Sequence, residues 1–364
     1  MKKKILYISG TRADYGLMQT TLLAIKKSPK LKLEIVATGM HLMPEFGSAI
    51  KEIEKDKLKI FRIKAVYEKD DKESMASFTG KFIYILTEKI GKIKPDIILI
   101  MGDRAEMLGG AIVGAYLGIP VVHIHGGEVS STVDDIVRNA ITKLADFHLP
   151  ATEKSKQRLL KMGEKKELIK VIGAPGLKIE INRKFNKREI CEKYKLNASE
   201  PILLAIQHPV SEDVKNASLQ IKQTMEAIKD LGYQTILIYP NADAGGRKMI
   251  EVIEKYRKFP FIKIFKNIPR GDFLRLMKIA NVLVGNSSAG IIETPSFNLP
   301  VINIGTRQKG RERGNNVIDI DYNKNKIKQA IEKAVKTKNK KYKNPYFVKN
   351  TEEKIVKILE EIKT

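Results

Sequence analysis

Acidic residues follow two apolar runs in the first half of the chain, at the points where the runs end. Asp103 comes after Ile97–Met101 and Glu128 after Val121–His125, each separated from its run only by glycine, and Asp134 lies a short distance further on. Such runs are typical of strands in parallel sheets, whose carboxyl ends form the ligand crevice. We expect the three carboxylates to share that crevice. Mutual repulsion should then raise the pKa of at least one and provide both an acid and a base.

A helical pattern begins at Asp134 and runs to Ala145. Asp134 or Asp135 could be an ordinary helix cap, since aspartate is favoured at that position. Arg138 lies one helical turn after Asp134 and could simply pair with it along the helix. However, the helix emerges from the loop that bears Glu128. We therefore expect Asp134 to face the same crevice.

Two histidines, His123 and His125, lie two positions apart on a predicted strand and so share one of its faces. They could in principle bind a metal together with Asp103 or Glu128. The spacing is loose compared with true metal motifs. We therefore favour the alternative, in which one or both pack beside the crevice and form hydrogen bonds there.

Two loops have residues that suit a phosphate group. The first strand ends at Ser9-Gly10, and Arg12 stands at the start of the next helix, where backbone N–H groups and a cation would bind a diphosphate. The alternative is a helix capped by Asp14 with Arg12 on the surface. In the second half, Asn286–Gly290 separates a strand from a helix that carries Glu293. Its serine hydroxyls and N–H groups suit an anion, and Glu293 suits ribose hydroxyls.

Other polar groups are predicted at the same edge of the second sheet. A simple cap by Asn286 or Ser287 would explain one residue of that loop but not the full run, which includes Ser288. His208 follows a predicted strand and could donate a hydrogen bond to phosphate, although a single loop histidine is more often structural. Gly305–Arg311 adds three cations. Complete dinucleotide and P-loop patterns are absent from the sequence, which argues against those sites.

Short apolar runs alternate with helical patterns along the chain, which predicts repeated βα units around parallel sheets. The first series of predicted strands is Lys4–Ser9, Leu33–Thr38, Lys59–Ala65, Ile97–Met101, Val121–His125, Phe147–Leu149 and Lys170–Ile172. The second is Pro201–Ile206, Thr235–Tyr239, Phe261–Phe265, Val282–Gly285 and Pro300–Ile304. We predict one Rossmann-like domain over residues 1–176 and a second over 177–350. A C-terminal helix within 351–364 could pack on either domain.

Composition limits the function classes. With 364 residues and 43% hydrophobic content, the chain can fill two cores. The net charge of +25 raises the question of nucleic acid, but the cations are mostly lysines spread along helical segments, so we expect no nucleic-acid binding. No apolar run approaches the roughly 18 residues of a membrane span. A single cysteine, Cys191, cannot form an internal disulfide, which favours a cytoplasmic location.

Taken together and in order, six segments resemble one family, the hydrolysing UDP-N-acetylglucosamine 2-epimerases of sialic-acid-type biosynthesis. The segments are Ser9–Gly16, Gly102–Glu106, His123–Glu128, Gln207–Pro209, Gly285–Glu293 and Gly305–Gln308. The resemblance covers nearly the whole chain. It implies a GT-B fold, in which two Rossmann-like doubly wound domains hold the active site between them. It also implies a UDP-sugar substrate and no metal, nicotinamide or other cofactor, and we expect a homo-oligomer, either a dimer or a tetramer.

The resemblance also implies roles for individual residues. The family's catalytic carboxylates fall on Asp103, Glu128 and Asp134, and its arginine falls on Arg138. The residues expected to contact the UDP part of the substrate are Arg12, His208, Ser287, Ser288, Glu293 and Arg307. The implied reaction is elimination of UDP to a 2-acetamidoglucal, followed by hydration with inversion at C2 to give N-acetylmannosamine.

Several alternatives remain open on the sequence alone. The same reaction on UDP-2,4-diacetamido-2,4,6-trideoxyglucose, as in legionaminic-type pathways, competes with plain UDP-N-acetylglucosamine as the substrate. A non-hydrolysing 2-epimerase resembles the chain less at Gly126–Glu128 and Asp134-Asp135. A retaining GT-B glycosyltransferase would need an acceptor site but no trio of carboxylates.

Overall fold

Two parallel six-stranded sheets form the framework of the molecule. The computed structural model describes residues 2–47, 49–177, 186–337 and 340–364. Side chains that alternate along the inner strands enter separate hydrophobic cores on the two faces of the sheet, as Ile5 and Leu6 do on the first strand. Burial on both faces explains why the strands read as continuous Ile-, Leu- and Val-rich runs.

The first sheet has the strand order β3-β2-β1-β4-β5-β6. Its strands are β1 (Lys3–Ser9), β2 (Leu31–Ala37), β3 (Lys59–Arg62), β4 (Ile97–Met101), β5 (Val121–Ile124) and β6 (Phe147–Leu149). The helices of this half are α1 (Arg12–Lys27), α2 (Ile50–Lys55), α3 (Lys72–Ile93), α4 (Ala105–Leu117), α5 (Val133–Leu144) and α6 (Glu153–Lys161). The order reverses between β1 and β4, and this reversal opens a crevice at their carboxyl ends.

The second sheet has the strand order β12-β11-β10-β7-β8-β9. Its strands are β7 (Ile202–Ile206), β8 (Gln234–Ile238), β9 (Ile262–Phe265), β10 (Val282–Gly285), β11 (Val301–Ile304) and β12 (Val317–Ile320). The remaining helices are α7 (Lys187–Lys193), α8 (Ala217–Leu231), α9 (Gly246–Glu254), α10 (Arg270–Ile279), α11 (Ala289–Ile292), α12 (Lys324–Val335) and α13 (Thr351–Glu361). Here the order reverses between β10 and β7.

One predicted strand is wrong and one observed strand was not predicted. Lys170–Ile172 forms no strand, and only a single bridge joins the neighbouring Ile169 to His148. The segment borders the edge strand β6 and gains too few partners to extend the sheet. β12 was missed because it is an edge strand of the second sheet and its two central residues are exposed. The remaining predicted strands are present, with ends that differ by a few residues.

The C-terminal helix packs on the first half of the molecule, a docking side that the sequence left open. Ile355 and Leu359 of α13 are fully buried in the core that contains Leu22 and Ile25 of α1. The hydroxyl of Thr351 also donates to the carbonyl of Ile172. The predicted boundary at residue 177 adjoins residues 178–185, which lie outside the described part of the chain, so the domain limits stay a prediction.

The helices were also searched for membrane spans. Within residues 2–47, 49–177, 186–337 and 340–364, none combines the length and apolar character that crossing a membrane requires.

Candidate active site

A cleft opens between the carboxyl ends of the two sheets, where loops from both halves meet. Of the predicted site residues, those that line it are Arg12, Asp103, Glu128, Asp134, Arg138, His208, Ser287, Ser288 and Arg307. Glu293 is the exception. The topology therefore brings residues that are nearly three hundred positions apart in the chain to one surface.

Asp103 is held by a buried arginine. The chain leaves β4 through Gly102, whose φ of 88° turns the following carboxylate into the cleft. The guanidinium of Arg138 contacts Asp103 and lies 2.5 Å from Asp135, and it also donates to the carbonyl of Glu128 at 3.0 Å. The sequence suggested that Arg138 might pair with Asp134 instead. In the structure Arg138 does not pair with Asp134. It connects Asp103 to the loop of Glu128 instead.

The capping role considered for Asp134 falls to another residue. Thr132 is the N-cap of α5, and its hydroxyl accepts from the backbone N–H of Asp134 at 3.3 Å. The carboxylate of Asp134 therefore remains in the cleft, 3.6 Å from the guanidinium of Arg307 of the second half. This contact places Asp134 at the junction of the two halves.

The carboxylates differ in proton affinity. Burial and the negative charge of Asp103 raise the pKa of Asp134 to about 6, although Arg307 opposes the rise. Burial would also raise the pKa of Asp103, but Arg138, Arg311 and Arg307 outweigh it and lower the pKa below its ordinary value. At neutral pH the cleft thus combines an ionised carboxylate with one that readily takes up a proton, as the sequence predicted for at least one group.

Glu128 is enclosed by two basic side chains. His125 Nδ1 lies 2.7 Å from one carboxylate oxygen, and Arg311 Nη2 lies 3.0 Å from the other. Burial alone would raise the pKa of Glu128, but His125 and Arg311 lower it to about 2. Arg311 belongs to the predicted cationic loop, but nothing in the sequence indicated that it would reach Glu128.

His123 forms hydrogen bonds within the first half of the molecule, which agrees with the interpretation that the sequence favoured over a metal-binding pair. Its Nε2 lies 2.8 Å from the carbonyl of Gly102 and its Nδ1 lies 3.3 Å from the hydroxyl of Thr142. Both ring nitrogens are therefore engaged inside the first half. Among the described residues, no group of three His, Cys, Asp or Glu side chains is placed to hold a metal ion.

The start of α1 differs from the predicted cap. Thr11 is the N-cap, and Asp14 completes a capping box from the third helical position rather than capping the helix itself. Asp14 is 5% exposed and accepts from the backbone N–H groups of Gly10 and Thr11 at 3.1 and 2.6 Å. Arg12 reaches across to the second half and donates to the carbonyl of Ile268 at 2.7 Å. Arg12 is thus a cleft residue rather than a surface arginine.

A tight approach of two strands shapes the loop after β10. Gly285 has a φ of 129°, and a Cβ there would lie 1.9 Å from the carbonyl oxygen of Ile206, so only glycine fits. The side chain of Asn286 then bonds the backbone N–H and carbonyl of His208 at 2.7 and 2.9 Å. Asn286 therefore positions the histidine loop, whereas the sequence suggested for it a place in the anion-binding loop or a capping role.

His208 is neutral in the cleft. Burial first, and then the charges of Arg307, Arg104 and Arg12, lower its pKa well below the ordinary value. Its Nδ1 accepts from the backbone N–H of Asn241 at 3.0 Å, so the proton of the neutral ring resides on Nε2. His208 can therefore donate a hydrogen bond to an anion without carrying a charge. Ser287 and Ser288 precede α11 on the same side.

Glu293 lies behind the cleft. Its carboxylate is 4% exposed and pairs with the guanidinium of Arg270 from α10. The helix that was predicted to carry Glu293 is divided at this point into α11 and a 3-10 turn over Thr294–Phe297, because Pro295 lacks the N–H that an α-helix would need. The assignment of Glu293 to ribose stays a prediction.

Comparison with known proteins decides the family. The family model for UDP-N-acetylglucosamine 2-epimerase matches residues 23–360. The chain belongs to this family. It is 41% identical to the UDP-N,N'-diacetylbacillosamine 2-epimerase (hydrolyzing) of Legionella pneumophila, an alignment that covers 100% of this chain and 97% of that protein. Identity to a UDP-N-acetylglucosamine 2-epimerase of Neisseria meningitidis is 37%, over 91% of this chain and 87% of that protein.

Solved structures agree on the fold. The UDP-GlcNAc 2-epimerase of Methanocaldococcus jannaschii, in complex with UDP-GlcNAc and UDP, superimposes with a TM-score of 0.80 at 23% sequence identity. The superposition covers 98% of this chain and 99% of that one. With the two parallel sheets described above, this match confirms the predicted GT-B fold.

The repulsion between two carboxylates is open to direct measurement. We expect Asp134 to titrate near pH 6 and Asp103→Asn to lower that midpoint, because the neutral amide removes a charge that raises the pKa of Asp134. Carbon-13 NMR of labelled aspartate carboxyl groups would follow the titration. Asp319→Asn, at a surface pair with Arg313, is the control. An unchanged midpoint in Asp103→Asn would contradict the coupling.

Proposed function

We propose that the protein is a hydrolysing UDP-N-acetylglucosamine 2-epimerase. The main support is that Asp103, which is ionised, and Asp134, whose pKa is near 6, share one cleft with Arg12, Arg307 and His208. Proton transfer and anion binding are thereby available at the same site. The Legionella pneumophila relative is named as a hydrolysing 2-epimerase, which supports the same reaction type.

The chemistry of the substrate explains why both functions are needed. The C2 proton of an N-acetylhexosamine is not adjacent to a carbonyl group, so direct removal is unfavourable unless a group leaves from C1. UDP is that group: a base takes the C2 proton while UDP departs, giving a 2-acetamidoglucal. Water then adds at C1, and an acid protonates C2 from the opposite face, which inverts that centre and yields N-acetylmannosamine.

Groups from both halves of the molecule suit the departing diphosphate. Arg12 and Arg307 provide positive charge, and neutral His208 provides a directed N–H donor. The hydroxyls of Ser287 and Ser288 add further donors from the loop that Gly285 shapes. Groups fixed in advance by the fold stabilise charge as it develops, without reorganising during the reaction. The proposal invokes no metal and no cofactor.

A second substrate is favoured by a specific observation. The Legionella pneumophila relative, at 41% identity, is named for UDP-N,N'-diacetylbacillosamine, whereas the Neisseria meningitidis relative, at 37%, is named for UDP-N-acetylglucosamine. We therefore keep the 2,4-diacetamido-6-deoxy sugar nucleotide as the alternative substrate. A pocket built to bind a hydroxyl rejects the deoxy analogue strongly, so the preference of this protein should be measurable.

The reaction is best tested in deuterated water. Incubation with UDP-N-acetylglucosamine should give free N-acetylmannosamine with deuterium at C2, together with UDP, when the products are examined by NMR. A parallel incubation with the diacetamido analogue identifies the preferred substrate. An intact UDP-sugar epimer would instead reveal the non-hydrolysing reaction, and no turnover of either compound would reject the proposal.

The contribution of Asp103 and Asp134 to catalysis can be tested by substitution. We expect Asp103→Asn and Asp134→Asn each to fold and to lose at least about a hundredfold in kcat, the usual scale for a positioned acid or base. Melting curves would verify the fold, and Asp319→Asn again serves as the control because Asp319 pairs with Arg313 near the surface. Full activity in both variants would reject the assignment of these carboxylates.

Nucleotide binding can be measured without turnover. UDP should raise Tm, because a ligand bound only by the folded state stabilises it by mass action. Arg307→Ala should weaken this shift, since Arg307 lines the cleft. Arg313→Ala is the matched control, an arginine on the same segment whose partner is Asp319. An unchanged Tm of the wild-type protein at millimolar UDP would contradict the predicted site.

A further inference from the structure

His125 occupies an unusual position in the cleft. It follows β5 with a φ of 66°, a left-handed conformation that is uncommon for a residue with a side chain. Its backbone N–H is held by the carbonyl of Leu149 at 3.1 Å. Two glycines follow it, which allows the chain to turn sharply before Glu128. Backbone strain of this kind is concentrated at functional sites, where the surrounding structure maintains it.

The two ring nitrogens of His125 have different surroundings. Nδ1 lies 2.7 Å from Glu128 Oε1. Nε2 is buried and has no hydrogen-bond partner among the residues that the structure describes. The side chain is 7% exposed and lines the same cleft as Asp103 and Asp134. A buried polar atom without a partner is costly, so Nε2 is the atom of this ring that a substrate group would satisfy.

Glu128 is less suited to take a proton from the substrate. His125 and Arg311 lie against its two carboxylate oxygens. Because both oxygens are already engaged by these side chains, neither is free to approach the C2 proton. A carboxylate that orients an imidazole from one side is a familiar arrangement in catalysis, where the carboxylate fixes the tautomer and stabilises the imidazolium.

We propose that Nε2 of His125 is the base that removes the C2 proton, and that Glu128 is a positioning residue that acts through His125. This inference rests on the proposed function and assigns one of its two proton transfers. Arg311 in turn contacts Glu128 from the second half of the molecule. The pair of His125 and Glu128 is therefore fully assembled only when both halves meet. The catalytic role that the sequence suggested for Glu128 is thus assigned to His125.

The steps balance as follows. In the elimination, the Nε2 lone pair takes the C2 proton, the C2–H electron pair forms the C1–C2 double bond, and the C1–O bond breaks with its pair on the departing UDP oxygen. The imidazolium then releases its proton to solvent. In the hydration, protonated Asp134 gives its proton to C2 from the opposite face. The oxygen of water bonds to C1, and one proton of that water returns to Asp134.

The two half-reactions can be measured separately in the full-length protein. His125→Asn is the variant of choice, because asparagine tolerates the left-handed backbone at this position. We expect consumption of UDP-N-acetylglucosamine to fall at least about a hundredfold, as for loss of a positioned base. Hydration of supplied 2-acetamidoglucal in the presence of UDP should stay close to the wild-type rate, because that step uses Asp134. His125→Gln replaces this variant if it does not fold.

A double variant separates positioning from catalysis. Glu128→Gln should slow the elimination, and His125→Asn combined with Glu128→Gln should be no slower than His125→Asn alone, because residues that act as a unit are not additive. His148→Asn is the matched control: His148 also pairs with a glutamate, Glu164, at 3.1 Å, but that pair does not line the cleft. It should retain both half-reactions.

Three outcomes would overturn the inference. One is normal consumption of the UDP-sugar by His125→Asn, and another is equal loss of both half-reactions with UDP binding intact. The third is a double variant that is slower than His125→Asn by the full Glu128→Gln effect, which would make Glu128 an independent participant. If the wild-type protein performs neither half-reaction, the proposed function itself fails. Active wild-type protein with active His125→Asn removes only the role of His125.

Discussion

The buried guanidinium of Arg138 is the interaction on which the first half of the cleft depends. It is 1% exposed, and it joins Asp103 of the loop after β4 to Asp135 on its own helix and to the backbone of Glu128. Loss of Arg138 itself would leave both Asp103 and Asp135 without their cation, and removing one partner of a buried ion pair typically costs about 3–5 kcal/mol. The carboxylates can therefore lie close together only because this cation is fixed among them.

The two halves of the molecule meet through charged and polar contacts around the cleft. Arg311 contacts Glu128 at 3.0 Å, and Arg104 of the first half contacts Asp243 of the second at 3.2 Å. Further from the site, the carboxylate of Asp70 accepts from three backbone N–H groups at the start of α9, with distances of 3.0 to 3.2 Å. The packing of the two halves is thus coupled to the electrostatics of the site, since basic residues such as Arg311 contact the other half and also lower the pKa of its carboxylates.

The sequence predicted those features that follow from strand ends. Asp103 and the His125–Glu128 segment lie in the cleft because the carboxyl ends of parallel strands lie at one edge of a sheet. The apolar runs in the sequence predict where those strands end. Partner choice was not predictable, because Arg311 reaches Glu128 and Arg270 reaches Glu293 only through the packing of distant loops and helices. The edge strand β12 was missed for a related reason: its half-exposed pattern carries little of the apolar signal that marked the inner strands.

The dual role of Arg307 links nucleotide binding to protonation. In this structure its guanidinium lies 3.6 Å from Asp134 and opposes the rise in the pKa of that residue. On the proposed function, a diphosphate competes with Asp134 for the same cation. Occupation of the cleft then leaves the repulsion from Asp103 less compensated and favours the protonated form of Asp134. Because linkage is reciprocal, protonation of Asp134 in turn releases Arg307 for the diphosphate, so the acid needed for hydration is prepared by the binding of the group that leaves.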